Sequence, residues 1–468
     1  MTQTKIFQLF TSKGIAIFLV GGTIRDRLLL SSIDRSTEPL PAVSLSTNSS
    51  LSVNDLDFAV SCEPLETKRI LEDAGYKVFV IGIAFGTVSV IIDNIKCEIT
   101  TFRKDVSYAR DNRHPVVEFG KTIEEDLARR DLTINAIALD SKGNLIDPFN
   151  GIEDLKNKII DTPIEPFKSF DDDPLRLMRA IRFKNKLGFQ YSDRVKVALK
   201  KCAPRLLSLS KERILEEMNK ILMLDDVKSA LEDLFEYRLI NHFIPELVAL
   251  KNIEQNSNFH HKNALAHTID VVQNTPKDLV LRVSGLFHDI AKSATFSSDN
   301  GEVHFYNHDE IGSRMTYSIM YRMGFSSQMI KDVTYMVKNH MRANLYETSW
   351  SDTAIRRFIK DTGEYCDKCI LLSRADITSH NPKTKNYHLS ALEELSKRIS
   401  EQRNFKQSPK CPVSGLAIMA FFELPACKQV GAIKDLILEA IINGDLKMDD
   451  SEEVMLRYAK TKMEMKNA

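Results

Sequence analysis

The strongest constraint on the fold is a change in residue periodicity part-way along the 468-residue chain. Before about residue 150, short runs rich in β-branched and aromatic residues alternate with turn signals, which is typical of strands. From Pro174 onward apolar residues recur at helical spacing, and only EVHFY at 302–306 looks like a strand. The pattern predicts an α+β fold, with a mixed α/β head followed by helical domains.

The length exceeds what one hydrophobic core normally serves, so several domains are expected. Polar residues at 251–262 and an Asn/Pro/Lys-rich stretch near 381–386 interrupt the helical part. We expect a head at 1–150, a helical neck at 151–250, a third domain at 251–385 and a small helical tail at 386–468. The Ser/Thr/Pro-rich segment 31–53 has no periodicity and is expected to form a surface loop or insertion.

Bulk composition narrows the location and the partners of the chain. Sixty-four basic and sixty-four acidic residues give a net charge of zero, which argues against bulk electrostatic capture of nucleic acid but leaves a local basic groove open. Seven scattered cysteines do not form a disulfide framework. The first residues lack the blocks of a signal peptide, and no apolar run is long enough to cross a membrane. These features predict a protein of the reducing cytoplasm without a membrane partner.

Two carboxylates begin a predicted strand in the sequence Asp55-Leu56-Asp57. Strand alternation places Asp55 and Asp57 on one face, where their repulsion would be relieved by a divalent cation such as Mg²⁺. Glu98, on a later predicted strand, could supply a third carboxylate. Taken alone, D-x-D is more often a solvated turn, and Glu98 more often an exposed strand residue.

Further polar groups flank this pair in the sequence. Gly21-Gly22 follows a strand and precedes a helix carrying Arg25, an arrangement that suits phosphate binding and also an ordinary tight turn. Two arginines and an acidic residue in the run 129–131 could clamp a triphosphate and a ribose, or form a surface ion-pair cluster. On the helix after Pro174, one face carries a carboxylate and two guanidinium groups that could hydrogen-bond a base or merely cap and coat the helix. These residues are Asp173, Arg176 and Arg179.

Seven motifs occur in one order over residues 15–225: GG-x2-RD, DLD, EITTFR, RRDLTINA, DPFNG-x2-DL, DDPLRLMRAIRF and SKERI-x2-E. The set resembles the class II tRNA nucleotidyltransferase and bacterial poly(A) polymerase family. The resemblance implies that Asp55 and Asp57 bind catalytic Mg²⁺ for adding nucleotides to tRNA from CTP and ATP. It further implies the roles of the surrounding residues: Gly21, Gly22 and Arg25 for the triphosphate, Arg130 and Asp131 for the ribose, and Asp173 and Arg176 for base selection.

Two departures from the family pattern are visible. The link between the first two motifs is usually short but here contains the segment 31–53, and Asp172 stands where Glu is common. The segment 101–115 resembles the flexible loop of full CCA-adding enzymes, which favours addition of C, C and A. A CC-adding enzyme, an A-adding enzyme and a poly(A) polymerase are the alternatives, along with an RNA-binding protein whose head is inactive.

A second group of imidazoles and carboxylates lies in the helical region, where such a mixture suits a transition metal or Mg²⁺ and an activated water. The spacing resembles the HD phosphohydrolase superfamily over about 260–380. The resemblance implies four metal ligands, His267, His288, Asp289 and Asp376. His308 and His340 would contact phosphate or a second metal, and the domain could trim phosphate from RNA ends or serve as an RNA-binding scaffold. Cys366-x2-Cys369 lacks a partner pair at zinc-ligand spacing and is interpreted as incidental to a helix.

Overall fold

A computed structural model describes residues 2–30, 55–80, 82–104, 118–253, 263–299, 302–378, 381–404 and 411–467. The segments 31–53 and 254–262, and most of the 101–115 loop, lie outside the described residues, so the expectations for them are not addressed. The chain divides into two compact units, Met1–Val248 and Ala249–Ala468.

A seven-stranded mixed sheet forms the centre of the head, with strand order β3-β4-β5-β2-β1-β8-β9. Its strands are β1 (Ile17–Val20), β2 (Asp55–Val60), β3 (Val78–Phe79), β4 (Thr87–Ile92), β5 (Ile95–Thr101), β8 (Ala138–Leu139) and β9 (Leu145–Ile146). The β2–β5 pair is parallel and the other neighbours are antiparallel. A separate ribbon joins β6 (Arg103–Lys104) to β7 (Glu118–Phe119).

The strands follow the sequence pattern closely. In β2, Leu56 is fully buried while both flanking aspartates are exposed, as alternation requires. The helices of the head are α1 (Thr2–Thr11), α2 (Gly22–Leu30), α3 (Pro64–Asp73), α4 (Ile123–Ala128) and α5 (Gly151–Asn157). On the inner face, Phe102 and Leu127 pack with Val20 in one core cluster. This packing fixes the ends of β1 and β2 against the segment that follows α4.

The neck is helical, as predicted, and belongs to the same unit as the head. It contains α6 (Pro166–Asp172), α7 (Leu175–Leu187), α8 (Asp193–Cys202), α9 (Lys211–Leu222) and α10 (Val227–Glu236). Ser192 and Asp226 cap α8 and α10 by accepting backbone N–H bonds, and α7 ends at Gly188 with φ +68°. A short parallel pair, β10 (Ile159–Ile160) with β11 (Gln190–Tyr191), was not predicted.

The described part of the second unit is helical except for one hairpin. Its helices are α11 (Ala264–Asn274), α12 (Leu279–Phe287), α13 (Lys292–Thr295), α14 (His308–Met323), α15 (Ser327–Asn339), α16 (Asp352–Thr362), α17 (Cys366–Asp376), α18 (Pro382–Asn404), α19 (Gly415–Phe422), α20 (Lys428–Asn443) and α21 (Glu452–Asn467). The hairpin pairs β12 (Phe296–Asp299) with β13 (Glu302–Phe305). The prediction of a strand at 302–306 is therefore confirmed, but its partner β12 was missed.

Two apolar cores lie in this unit, one around the Cys366-x2-Cys369 pair and one among the last three helices. Cys366 and Cys369 lie on α17 with no exposed surface and pack among apolar residues of one cluster. The last three helices bury a core of their own around Ile433 and Met455. Among the helices that the structure describes, none is both long and apolar enough to span a membrane.

Candidate active sites

The carboxylates of Asp55 and Asp57 lie on the exposed face of β2, at the strand end beside β1 and β5. Asp57 pairs in register with Val20 on one side and with Glu98 on the other. Loss of hydration, together with the nearby Glu98 and Asp55 charges, raises the pKa of Asp57, although Arg130 opposes the shift. Carboxylate oxygens that repel one another in this way are a suitable donor set for a hard divalent cation.

Glu98 is engaged differently from the two aspartates. Its carboxylate accepts a 2.6 Å hydrogen bond from the Lys96 ammonium group on the same strand. Among the described residues, groups of three or more donors within 4.8 Å of one another occur only in the second unit. A cation on Asp55 and Asp57 would therefore take further ligands from nucleotide phosphates, as Mg²⁺ commonly does.

The Gly21-Gly22 turn carries the chain from β1 into α2 directly beside this pair. Gly21 has φ +77°, a left-handed conformation that favours glycine. A Cβ atom at Gly21 would lie 3.2 Å from Nη1 of Arg130 and 3.5 Å from Oδ2 of Asp57. The absence of a side chain thus brings the carboxylate, the guanidinium group and the turn together, at the start of a helix that favours anions.

Arg25, on α2, is almost fully buried. Its guanidinium group donates to Oδ1 of Asn135 at 2.7 Å and to Asp26 at 2.8 Å. Asn135 in turn donates to Asp131 at 3.0 Å. Sequence reasoning did not single out Asn135, although it lies in the RRDLTINA motif four residues after Asp131. In this conformation Arg25 hydrogen-bonds Asn135 and Asp26 beside the site. Its contact with a triphosphate stays a prediction.

The run 129–131 is organised by buried carboxylates. Arg129 and Arg130 both donate to Asp126, at 3.3 and 3.1 Å. Asp131 accepts bonds from Asn135 and, at 2.8 Å, from Arg179 on α7. Burial alone would raise the pKa of Asp131, but the guanidinium group of Arg179 holds it below its ordinary value. The segment thus joins the head to the neck by an ion pair that sequence spacing did not predict.

Asp173 and Arg176, expected to share one helix face, have different partners. Asp173 lies just before α7, where it accepts the Leu175 N–H at 3.1 Å and binds Arg213 of α9 at 3.0 Å. Arg176 is 6% exposed and donates to Ser169 and to the carbonyl oxygen of Arg129. The sequence predicted Pro174 as the first residue of this helix, but α7 begins one residue later, at Leu175. Arg213, within the SKERI motif, was not identified from the sequence.

Six donors converge in the second unit as two groups of three. One group consists of His267, His288 and Asp376; the other consists of Asp289, His308 and His340. Asp289 faces both groups, with Oδ2 3.1 Å from Nε2 of His288 and Oδ1 3.7 Å from Nε2 of His308. All six predicted HD residues are therefore together, and the three residues of the second group could hold a metal ion of their own.

The imidazole rings are oriented by hydrogen bonds behind them. The Nδ1 atoms of His288, His308 and His340 lie 2.7–2.9 Å from the carbonyl oxygen three residues earlier. Since a carbonyl can only accept, Nδ1 carries the proton of the neutral ring, and Nε2 is the atom that a cation or a second proton would occupy. Nε2 of His308 then lies only 3.2 Å from Nε2 of His340. Two facing lone pairs at this distance repel, so the donor set fits a cation between them.

The charges of this centre are strongly coupled. Burial disfavours protonated His288, yet the Asp289 and Asp376 carboxylates raise its pKa to about 10. Burial, and then the charge of His288, lowers the pKa of His340 to about 4. Lys292, which sequence reasoning missed, donates to Asp289 at 2.7 Å. A cavity of about 510 Å³ opens onto these residues.

Comparisons with known proteins agree with this geometry. Residues 17–161 match the family model of the poly A polymerase head domain, residues 188–250 a probable RNA- and SrmB-binding site of polymerase A, and residues 263–381 the HD domain. The CCA-adding enzyme of Streptococcus gordonii is 37% identical over 242 residues, covering 52% of this chain and 54% of the relative. That of Anoxybacillus flavithermus is 38% identical over 238 residues, covering 51% and 54%. The matches thus span about half the length of these curated relatives.

Solved structures share the fold. The CCA-adding enzyme of Bacillus stearothermophilus in complex with CTP has a TM-score of 0.66 at 23% identity, covering 100% of this chain and 98% of the other. The Thermotoga maritima CCA-adding enzyme complexed with tRNA has a TM-score of 0.59 at 18% identity, covering 98% and 94%. Fold and sites define a two-part protein with a mixed α/β head and an HD-type centre. Residues 17–161 are thus similar to the poly A polymerase head domain, and residues 263–381 are similar to the HD domain.

Proposed function

We propose that the chain adds C, C and A to the 3′ end of tRNA, without a template, from CTP and ATP. The observation that carries the proposal is the pair Asp55 and Asp57 on one strand face, with Oδ2 of Asp57 and Nη1 of Arg130 both within 3.5 Å of the position that a Cβ atom of Gly21 would occupy. The CCA-adding names of the matched relatives support it. We further propose the four domains expected from the sequence, and a cytoplasmic location, which the seven free cysteines favour.

In the proposed reaction the tRNA 3′ oxygen forms a bond to the α-phosphorus, and the bond from that phosphorus to the bridging oxygen breaks, releasing pyrophosphate. Mg²⁺ held by Asp55 and Asp57 would neutralise charge on the reacting oxygens. The start of α2 and Arg130 would orient the triphosphate by donating hydrogen bonds, and a cation would offset the burial and the Glu98 and Asp55 charges that raise the pKa of Asp57. Asp173 and Arg176 would read the base, and Asp131 with Arg130 the ribose.

The test uses tRNAs that lack one, two or three terminal nucleotides, with CTP and ATP supplied separately and together. We expect C to be added twice and A once, and each product to stop there. Asp55→Asn and Asp57→Asn should each lower addition by at least about a hundredfold, since an oriented charge at the reacting centre is lost. The matched control is Asp73→Asn, an exposed aspartate of α3. Long poly(A) products with ATP alone would instead identify a poly(A) polymerase.

We propose a second activity, hydrolysis of phosphate esters at RNA ends by the HD domain. It is favoured by the two groups of three donors and by the 3.2 Å approach of the His308 and His340 nitrogens. Divalent metal bound there would supply an activated water. His267, His288 and Asp376 would hold one ion and His308 and His340 a second, with Asp289 between the two. Lys292 would then balance the charge of Asp289.

This second proposal is tested with nucleoside 2′,3′-cyclic phosphates in the presence of Mg²⁺, Mn²⁺, Co²⁺ or Ni²⁺. We expect His288→Ala to abolish hydrolysis while nucleotide addition continues, and Asp55→Asn to do the reverse. His242→Ala, in the other unit, is the control. Absence of hydrolysis with every metal, despite bound ions, would make the domain a structural module.

A further inference from the structure

We propose that Phe183 is a positioning residue for the nucleotide site, holding the guanidinium groups of Arg25 and Arg179 in the planes that their ligands require. The inference rests on the proposed nucleotidyl transfer. Phe183 lies on α7, is 6% exposed and carries no polar atom. Its importance comes from what surrounds the ring.

Three guanidinium groups approach this one ring. The central carbon of Arg182 lies 4.3 Å from the ring centroid, that of Arg25 4.8 Å and that of Arg179 5.5 Å. These are cation–π distances, at which the negative face of an aromatic ring attracts a cation. Arg25 comes from α2 of the head and the other two from α7, so the ring lies where the head meets the neck.

Each of the three arginines also pairs with one carboxylate, which is the adjacent Asp26 for Arg25 and a carboxylate of another segment for Arg179 and Arg182. Arg25 binds Asp26 at 2.7 Å, and Arg179 binds Asp131 at 2.6 Å. Arg182 binds Glu217 of α9. Three cations would repel one another around a ring, but with three carboxylate partners they form a neutral cluster. The cluster connects the turn after β1, the RRDLTINA segment and two neck helices.

Stacking on a ring leaves the donors of an arginine available. The N–H donors of a guanidinium group lie in its own plane, so a ring that attracts the group from above or below that plane leaves the donors available. In Arg25 these donors reach Asn135 and Asp26, and in Arg179 they reach Asp131. The ring therefore fixes the orientation of each group without consuming a hydrogen bond. An aliphatic side chain would fill the space but could not attract the cations.

The experiment compares Phe183→Leu with Phe183→Tyr in the full chain. KM and kcat for CTP and ATP are measured on tRNA lacking the terminal nucleotides. We expect Phe183→Leu to raise KM for both nucleotides about tenfold with kcat changed less than about threefold, and Phe183→Tyr to restore a KM near that of the wild type.

The control is Phe189→Leu, the same substitution at a buried phenylalanine just beyond α7 that contacts no cation among the described residues. It should leave KM unchanged at a similar loss of melting temperature. Equal KM values for Phe183→Leu and the wild type, or an equal rise in the control, would overturn the inference. If the wild-type chain adds no nucleotide, the proposed function fails instead. Equilibrium dialysis of labelled CTP then decides the role of Phe183, with weaker binding by Phe183→Leu supporting it and equal binding refuting it.

Discussion

Gly21 shows how a single residue can combine a backbone requirement with a site requirement. Its φ of +77° strains any L side chain, at about 1–2 kcal/mol for a residue such as alanine. A Cβ atom would also press on Arg130 at 3.2 Å and lie against Asp57 at 3.5 Å. Gly21→Ala should therefore lose stability and also lower nucleotide addition.

The loss of stability and the loss of activity can be separated, because Gly75 has a similar backbone strain without the crowding. Gly75 has φ +82° and open space around its Cβ position. We expect Gly75→Ala to match Gly21→Ala in loss of unfolding free energy but to retain full nucleotide addition per folded molecule. Denaturant unfolding and primer-extension rates measure the two quantities. Equal activities of the two variants would show that crowding at Arg130 and Asp57 is unimportant.

Asp131 gives a prediction about pH. Its pKa in the folded protein is below the ordinary value of 3.8, because Arg179 stabilises the charged form against the cost of burial. A carboxylate with a depressed pKa adds stability that is fully present above the unfolded-state pKa and is lost as pH falls through the folded-state pKa. Asp131→Asn should thus cost about 3 kcal/mol at pH 7, and the difference from the wild type should shrink steadily below about pH 4.

Unfolding by urea between pH 3 and pH 7 measures this dependence. Asp193→Asn is the control, since that side chain is 98% exposed and should change stability little at any pH. A cost for Asp131→Asn that stays constant down to pH 3 would show that the ion pair with Arg179 does not carry the effect.

At the scale of elements, some sequence motifs supply side chains to the proposed sites, whereas others serve the packing of helices and loops. In DPFNG-x2-DL, Asp147 accepts the N–H groups of Gly151 and Ile152 at 2.7 and 2.9 Å and so caps α5. A Cβ atom at Gly151 would lie 2.2 Å from the Thr133 carbonyl oxygen. This motif therefore serves the close packing of α5 on the RRDLTINA segment, a role that spacing alone could not distinguish from ligand binding.

The longer strands of the head and most helices could be predicted because their signals are local, whereas the two-residue strands β10 and β11 could not. The alternation in Asp55-Leu56-Asp57 and the helical spacing after Pro174 depend only on neighbouring residues. The partners of Arg176, Arg179 and Arg213 could not be predicted, because these contacts depend on packing between elements that are distant in sequence. Likewise β12 has little β-propensity, and its pairing with β13 is decided by the hairpin as a whole.

His288 directly follows α12, His308 begins α14 and His340 directly follows α15. These three histidines are divided between the two candidate metal positions. His308 and His340 belong to one group of three donors, His267 and His288 to the other. A His308→Ala/His340→Ala double variant should therefore lower the bound Mn²⁺ from about two ions per chain to about one. Elemental analysis after dialysis measures the content, with Asp55→Asn as background in every sample. Retention of two ions would contradict the division into two groups.

The whole molecule consists of two compact units, 1–248 and 249–468, and each holds one candidate site. Units with separate cores can unfold in separate steps. We expect calorimetry to resolve two transitions in the Asp55→Asn background. Mn²⁺ should increase the unfolding free energy of the second unit alone, by about 2.7 kcal/mol when its free concentration is a hundredfold above Kd. His288→Ala should reduce that rise, because one of the two ligand groups is broken.

The first transition is identified independently by Asp131→Asn, which weakens the contact between the Asp131 segment and α7 inside the first unit. This substitution should lower the first transition and leave the response of the second to Mn²⁺ intact. A single transition that responds to both substitutions would mean that the units unfold as one cooperative body. In that case a change at either site would alter the stability of the other, and the two proposed activities could no longer be treated as independent.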